Sequence, residues 1–215
     1  IDAAKRVIMY LMSTHDFYLE WRSSDEEIER GVANILVGAV DASFAADAMT
    51  RRSHGGYINF INSGPVSWKS GLQPIVTLSS CESEYVALCA EVCEVKYLRN
   101  LIGELGYEQK EATLIWEDNK AAILIAEQTG SSAGRCKHID TRFRFVSEAI
   151  KDRVVRVRYT PTDTNVADLF TKPLSTAVFE RLLDLCRSTK SAQYGNVSEE
   201  FQVATGAAYF MVEGC

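Results

Sequence analysis

The sequence predicts an α/β fold, a mixed sheet with an antiparallel edge and helices packed around it. Three observations lead there. The run ANILVGAV (33–40) is nearly continuous in apolar residues and ends on Asp41, the pattern of a strand buried on both faces. GGYINFI (55–61), the turn residues NSGP (62–65) and VSWKS (66–70) together describe a hairpin. After residue 78, helix-like and strand-like stretches alternate to residue 187.

Taken in order, residues 1–20 place Val7, Ile8 and Leu11 at helical spacing, then Phe17 and Leu19 in an extended piece. The acidic stretch SSDEEIER (23–30) is expected to be an exposed linker. After the three strands already given, QPIVTL (73–78) adds another strand-like segment. A long helix follows. Ser79 and Glu82 fit an S-x-x-E capping box, and Tyr85, Leu88, Val92, Val95, Leu98, Ile102 and Leu105 recur every three or four residues until Gly106. ATLIWED (112–118) is a strand ending in acids, followed by the helix NKAAILIAEQ (119–128) and the loop TGSSAGR (129–135). IDTRFRFVSEAI (139–150) is helical, VVRVRYT (154–160) alternates as a half-exposed strand, NVADLFT (165–171) opens a short helix, and STAVFERLLDLC (175–186) is a last amphipathic helix. The expected division is residues 1–30, a folded domain over 31–187, and a tail over 188–215 without a folded pattern.

Composition narrows the function. The 215 residues amount to one domain with extensions or two small ones, at ~150 residues per domain. With 47% hydrophobic and 24% charged residues, disorder throughout is excluded. No apolar run reaches the ~18–20 residues of a membrane span, and VIMYLM near the start is too short for a secretory core, so neither a membrane nor export is expected. Because the first residue is Ile1, the expectation is a piece cut from a longer chain. The net charge of −6 argues against a wholly basic nucleic-acid coat, yet residues 135–158 carry eight basic side chains against three acids. The six cysteines form no C-x-x-C pair and no structural-zinc spacing, which points to reduced thiols; Cys81, Cys89 and Cys93 share a helical row with Tyr85.

Four acids stand where strands end or helices begin: Asp41, Glu84, Asp118 and Asp168. Asp41 also suits a turn, Asp118 a helix N-cap, and Asp168 the first turn of a helix, so each alone has an ordinary explanation. Glu82 has one too, in the capping box. If the first and fourth strands are neighbours, Asp41 and Asp118 converge, and packed helices could add Glu84 and Asp168. Such a cluster repels itself unless cations neutralise it, and hard oxygen ligands without Cys or His suit Mg²⁺ or Mn²⁺ in phosphoryl-transfer chemistry.

The run DASFAADAMTRRSHGGYINFINSGPVSWKSGLQPIVTLSSCESEYVALCAE resembles the RNase H domain of copia-type retrotransposon Pol polyproteins. IWEDNKAAILIA, KHIDTRFRFVSEAI and YTPTDTNVADLFTKPL resemble it too, and AAKRVIMYLMSTHDFYLEW is similar to the end of the preceding reverse transcriptase region. The resemblance implies an RNase H-like fold with a five-stranded mixed sheet. It implies that Asp41, Glu84, Asp118 and Asp168 are catalytic and hold two Mg²⁺ ions, with Mn²⁺ able to substitute. It also implies cleavage of the RNA strand of RNA–DNA hybrids, association with reverse transcriptase and other parts of Pol, and an intracellular, cytoplasmic setting in virus-like particles. The loop TPTDTN (160–165) before the last aspartate holds no histidine, a departure from cellular relatives that removes a histidine proton shuttle. Arg51, Arg52, Asn119, Lys137 and His138 are candidate nucleic-acid contacts, while Trp68 and Tyr57 are expected in the core. The alternative is a catalytically silent RNase H-like scaffold or hybrid-binding module from a decayed element. An integrase-type nuclease also uses clustered acids, but the blocks around Asp118 match it less well.

Overall fold

The structure, a computed structural model, describes residues 2–23, 25–29, 33–128 and 137–187. Five strands form one sheet in the order β3-β2-β1-β4-β5: β1 Val37–Ser43, β2 His54–Ile61, β3 Gly64–Leu72, β4 Thr113–Glu117 and β5 Val155–Tyr159. The first three pair antiparallel, and β1–β4 and β4–β5 pair parallel. This is the mixed sheet with an antiparallel edge that the sequence predicts. The β2–β3 turn places Asn62 and Ser63 at φ of 52° and 63°, the left-handed conformation that a tight two-residue hairpin turn demands.

Helix α3 (Ser80–Glu104) crosses one face of the sheet, and α4 (Lys120–Glu127) and α5 (Lys137–Lys151) extend the same layer. Leu36 just before β1, Val40 of β1 and Tyr57 of β2 pack there against Leu88, Val92 and Val95, and the Tyr85 ring stacks on Phe143 of α5 at 4.1 Å. The expected apolar row of α3 is buried from Tyr85 to Ile102, but Leu105 is exposed, one residue before Gly106 turns the chain at φ 92°. On the other face Ala39, Ile58 and Phe60 meet Val166 and Ala167 of a 3₁₀ helix (Val166–Phe170) and Cys186 of α6 (Thr176–Arg187). β1 is therefore covered on both faces, as its apolar run predicts. Near the start, α1 (Asp2–Ser13) sets the Tyr10 ring edge-on to Phe179 of α6 at 5.9 Å.

Several expectations are corrected. The first strand starts at Val37 rather than residue 33, so Asp41 lies within it, opposite Gly56 of β2. The acidic stretch 23–30 contains a short helix, α2 (Asp25–Glu29). QPIVTL is not a strand: Gln73 and Thr77 turn inward, Gln73 donating to the Ser83 carbonyl at 2.8 Å and Thr77 sharing a 2.9 Å hydroxyl contact with Ser53, while Val76 and Leu78 face outward. Tyr57 is in the core as expected, whereas Trp68 is exposed on β3. In the cysteine row, Cys81 and Cys89 are half-buried and Cys93 is exposed, none of the three in a disulfide. The expected loop 129–135 and tail 188–215 lie outside the described residues.

Candidate functional site

The parallel pairing of β1 with β4 builds the site. The register matches Val37 with Leu114 and Ala39 with Trp116, and carried on two residues it sets Asp118 beside Asp41. Asp118 is released from helix capping by its neighbour: Asn119 is the N-cap of α4, its Oδ1 accepting from the Ala121 and Ala122 amides at 3.0 and 3.1 Å. The same division of labour opens α3. Ser79 is the N-cap, accepting from the Glu82 amide at 3.1 Å, and Glu82 Oε2 accepts from the Leu78 amide at 2.8 Å rather than from Ser79 itself. Glu82 thus stays at the surface end of the helix. Glu84, two residues on, is buried and points to the sheet.

Carboxylate oxygens of Asp41, Glu84 and Asp118 lie within 4.8 Å of one another. Burial raises the Glu84 carboxyl well above the ordinary range, and the charges of Glu117, Asp41 and Asp118 raise it further. Asp118 is also raised, by burial first; a hydrogen bond with Thr162 and the charge of Lys172 oppose the rise, and Asp41 adds to it. Glu117, wholly buried at the end of β4, is raised by burial and accepts from the Asn119 amide at 3.0 Å.

Asp168 reaches the same place from the opposite layer. The 3₁₀ helix that carries it is capped by Asn165, whose Oδ1 accepts from the Ala167 amide at 3.1 Å while its Nδ2 donates to the Val40 carbonyl at 2.9 Å. That bond ties the Asp168 segment to the strand of Asp41. The following residues close over the site: the Thr171 hydroxyl donates to Asp41 Oδ2, and Lys172 Nζ lies 2.7 Å from Asp168 Oδ1 and 3.8 Å from Asp41 Oδ2. Gly56 permits this approach, since a Cβ there would stand 2.6 Å from that of Phe170. Asp168 is raised to about 7, by burial above all, with the Lys172 hydrogen bond opposing it.

All four predicted acids are therefore brought together, Asp41, Glu84 and Asp118 converging and Asp168 meeting Asp41, with Lys172 bound to both aspartates. Sequence reasoning missed Lys172, Thr171 and Asn165. The available signal was the spacing of Asp168 and Lys172, four residues apart. Of the candidate nucleic-acid contacts, Arg51 and Arg52 lie in the β1–β2 loop, where Asp47 exchanges backbone hydrogen bonds with both. Asp47, His54, Ser70, Thr171 and Lys172 line a cleft of about 500 Å³ beside the acids. Asn119 sits next to Asp118, with its side-chain oxygen committed to the helix cap. Lys137 and His138 open α5, and their side chains lie outside the described residues.

The donor set fits a hard divalent cation. It offers only carboxylate oxygens, and Glu84 Oε2 is buried without a hydrogen-bond partner among the described residues. Cations would also relieve the mutual repulsion that, after burial, helps to raise Glu84, Asp118 and Asp168.

No protein-family model matches the chain. Among curated proteins it is 34% identical over 184 residues to the retrovirus-related Pol polyprotein from transposon TNT 1-94 of Nicotiana tabacum, covering 86% of this chain and 13% of that one. It is 30% identical over 179 residues to the corresponding polyprotein from transposon RE2 of Arabidopsis thaliana, covering 83% of this chain and 12% of the relative. The chain thus spans only about an eighth of the length of these relatives. Among solved structures, RNase H1 from Halobacterium salinarum NRC-1 aligns with a TM-score of 0.43 at 16% identity, covering 63% of this chain and 93% of that one. The chain is a homologue of one short segment of the retrovirus-related Pol polyproteins of plant transposons, and its five-stranded mixed sheet with flanking helices is an α/β fold.

Proposed function

We propose that this chain is a ribonuclease H, which hydrolyses the RNA strand of RNA–DNA hybrids with two Mg²⁺ ions, Mn²⁺ serving in their place. The observation that carries this reading is the convergence of Asp41, Glu84 and Asp118 within 4.8 Å, with Asp168 delivered from the opposite face. When bound, the cations supply a deprotonated water and neutralise charge on the leaving oxygen. The chain's own residues do the positioning. Asp41, Glu84, Asp118 and Asp168 are the ligands and catalytic carboxylates, rigid because they stand on a central strand, on a long helix, just past the end of the neighbouring strand and on a segment pinned by Asn165. Thr171 fixes the Asp41 carboxylate through its hydroxyl. No histidine stands in the loop 160–165, so no imidazole there moves the proton of the departing alcohol.

Arg51, Arg52, Asn119, Lys137 and His138 are proposed as contacts to the hybrid backbone or the RNA 2′-hydroxyl. The proposed partners are the hybrid, reverse transcriptase and the other parts of a Pol polyprotein, inside an intracellular particle. Among the described residues no helix is long and apolar enough to cross a membrane. The test is cleavage of labelled RNA–DNA hybrid, double-stranded RNA and double-stranded DNA by the full chain. Only the RNA strand of the hybrid should be cut, with Mg²⁺ or Mn²⁺ required and Ca²⁺ supporting little turnover because its longer, looser bonds misplace the water. A chain that binds hybrid and cuts none of the three substrates in Mg²⁺ or Mn²⁺ is the silent scaffold instead.

A further inference from the structure

Lys172 is unlike an ordinary surface lysine. Its side chain is about one-third exposed, while the two carboxylates it faces, Asp41 and Asp168, are almost wholly buried. Among the described residues it is the basic group paired with the acidic centre, and it approaches the centre from one side only. Asp41, Glu84 and Asp118 converge with one another, and Asp168 meets Asp41 with the ammonium seated on both carboxylates. The Thr171 hydroxyl, next in the chain, holds the same Asp41 oxygen that faces Lys172. The two halves of the site are thus chemically different: three converging carboxylates on one side, and two carboxylates sharing a built-in cation on the other.

We propose that Lys172 is a place-holder cation: its ammonium occupies the Asp41–Asp168 side of the free protein, so that one divalent ion binds readily at Asp41, Glu84 and Asp118, and a second must displace Lys172 from Asp168. This rests on the reading of the acidic centre as a metal site. A fixed positive charge about 3–4 Å from a ligand pair opposes an incoming cation by several-fold to many-fold in affinity, even when solvent screens much of it. Partial exposure gives the flexible four-carbon stem somewhere to go, and the neighbouring cleft with His54, Ser70 and Thr171 is where a phosphate could receive the displaced ammonium. Lys172 is therefore a positioning residue that sets the order in which charge enters the site.

The test is Mn²⁺ binding to the full chain, followed by electron paramagnetic resonance and calorimetry without nucleic acid, in wild type, Lys172→Met and Lys172→Arg. Wild type should bind one ion readily and a second weakly. Lys172→Met should tighten the second by about tenfold or more, and Lys172→Arg should keep the wild-type pattern because it keeps the charge. A second measurement uses wild type alone, guarding against a Met variant that folds poorly: amine labelling read by mass spectrometry should modify Lys172 faster at saturating Mn²⁺ than at one equivalent. Two equally tight ions in wild type, unchanged in Lys172→Met, or Lys172 labelling indifferent to saturating Mn²⁺, would overturn the place-holder role and leave the metal site standing. No Mn²⁺ bound by any of the three proteins would overturn the metal site and the place-holder with it.

Discussion

Helix α3 buries two glutamates seven residues apart on one stripe, and they differ in everything but burial. Glu84 meets Asp41 and Asp118, whereas Glu91, two turns further on, is wholly buried against Gly38 and Asn59. Asn59 Nδ2 donates to Glu91 Oε2 at 3.3 Å, and Glu91 Oε1 and Asn59 Oδ1 are both buried without partners among the described residues. A proton on Glu91 removes the buried charge and leaves a neutral acid beside the amide. Burial raises Glu91 well above its ordinary pKa, the Asn59 hydrogen bond opposes this, and the Glu94 charge adds to it. A buried carboxyl is therefore no mark of a site by itself. A carboxyl among other carboxyls needs cations, and one beside an amide needs only a proton.

The largest contrast should come from neutral isosteres. Glu84→Gln is expected to cost cleavage on the order of a hundredfold or more at ordinary Mg²⁺, with the melting temperature unchanged or raised because carboxylate repulsion is relieved. Asp118→Asn should behave alike, and both variants should still bind hybrid. Glu91→Gln should leave cleavage intact. Rates and melting curves for the three variants side by side measure this, and an active Glu84→Gln beside an inactive Glu91→Gln would reverse the assignment.

Next in size is Gly38→Ala. A Cβ on Gly38 would collide with Glu91 Oε1 and stand 3.0 Å from Asn59 Oδ1, so the variant should lose about 1–3 kcal/mol in denaturant unfolding. In Glu91→Ala the same methyl should cost much less, because its obstacle is gone.

A smaller effect lies in pH. Glu91 has a folded pKa above its unfolded value, so its contribution to stability is complete below the unfolded carboxyl pKa and is lost as pH rises through the folded one. The melting temperature of wild type should thus decline towards alkaline pH more steeply than that of Glu91→Gln. The facing Glu94 and Tyr57 are common to both proteins; Tyr57 is itself raised, by burial first and then by the charges of Glu94 and Glu91. Parallel declines would show that Glu91 is not the titrating group. Smallest of all, Glu82→Gln should cost no more than ~1 kcal/mol and retain cleavage, since its work is at the helix end.

The parts of the site legible in the sequence are those set by local chemistry. Asp41 and Asp118 stand out because charge at the end of an apolar strand needs a reason, and the capping box separates Glu82 from Glu84 without any knowledge of the sheet. Lys172, Thr171 and Asn165 act only after the chain returns across the opposite face, so nothing near them in sequence announces their targets on β1. QPIVTL departs from its strand-like pattern for a related reason. Its composition suits a strand, but Gln73 and Thr77 are claimed by Ser83 and Ser53, partners that lie elsewhere in the chain. The Glu91–Asn59 pair is hidden in the same way, on a helix stripe whose apolar residues are interrupted by Glu84 and Glu91 alike.

The bonds from Thr171 to Asp41 and from Asn165 to Val40 join residues 130 and 125 apart. During synthesis the strand bearing Asp41 leaves the ribosome on the order of ten seconds before the segment that clasps it, at ordinary elongation rates. Contacts of such long range also carry the greatest loop-closure cost, so they form late in folding as well as late in synthesis. The acidic centre is consequently a record of completion. A chain halted after β5 could pair every strand of its sheet and still lack the clasp, the fourth carboxylate and the lysine.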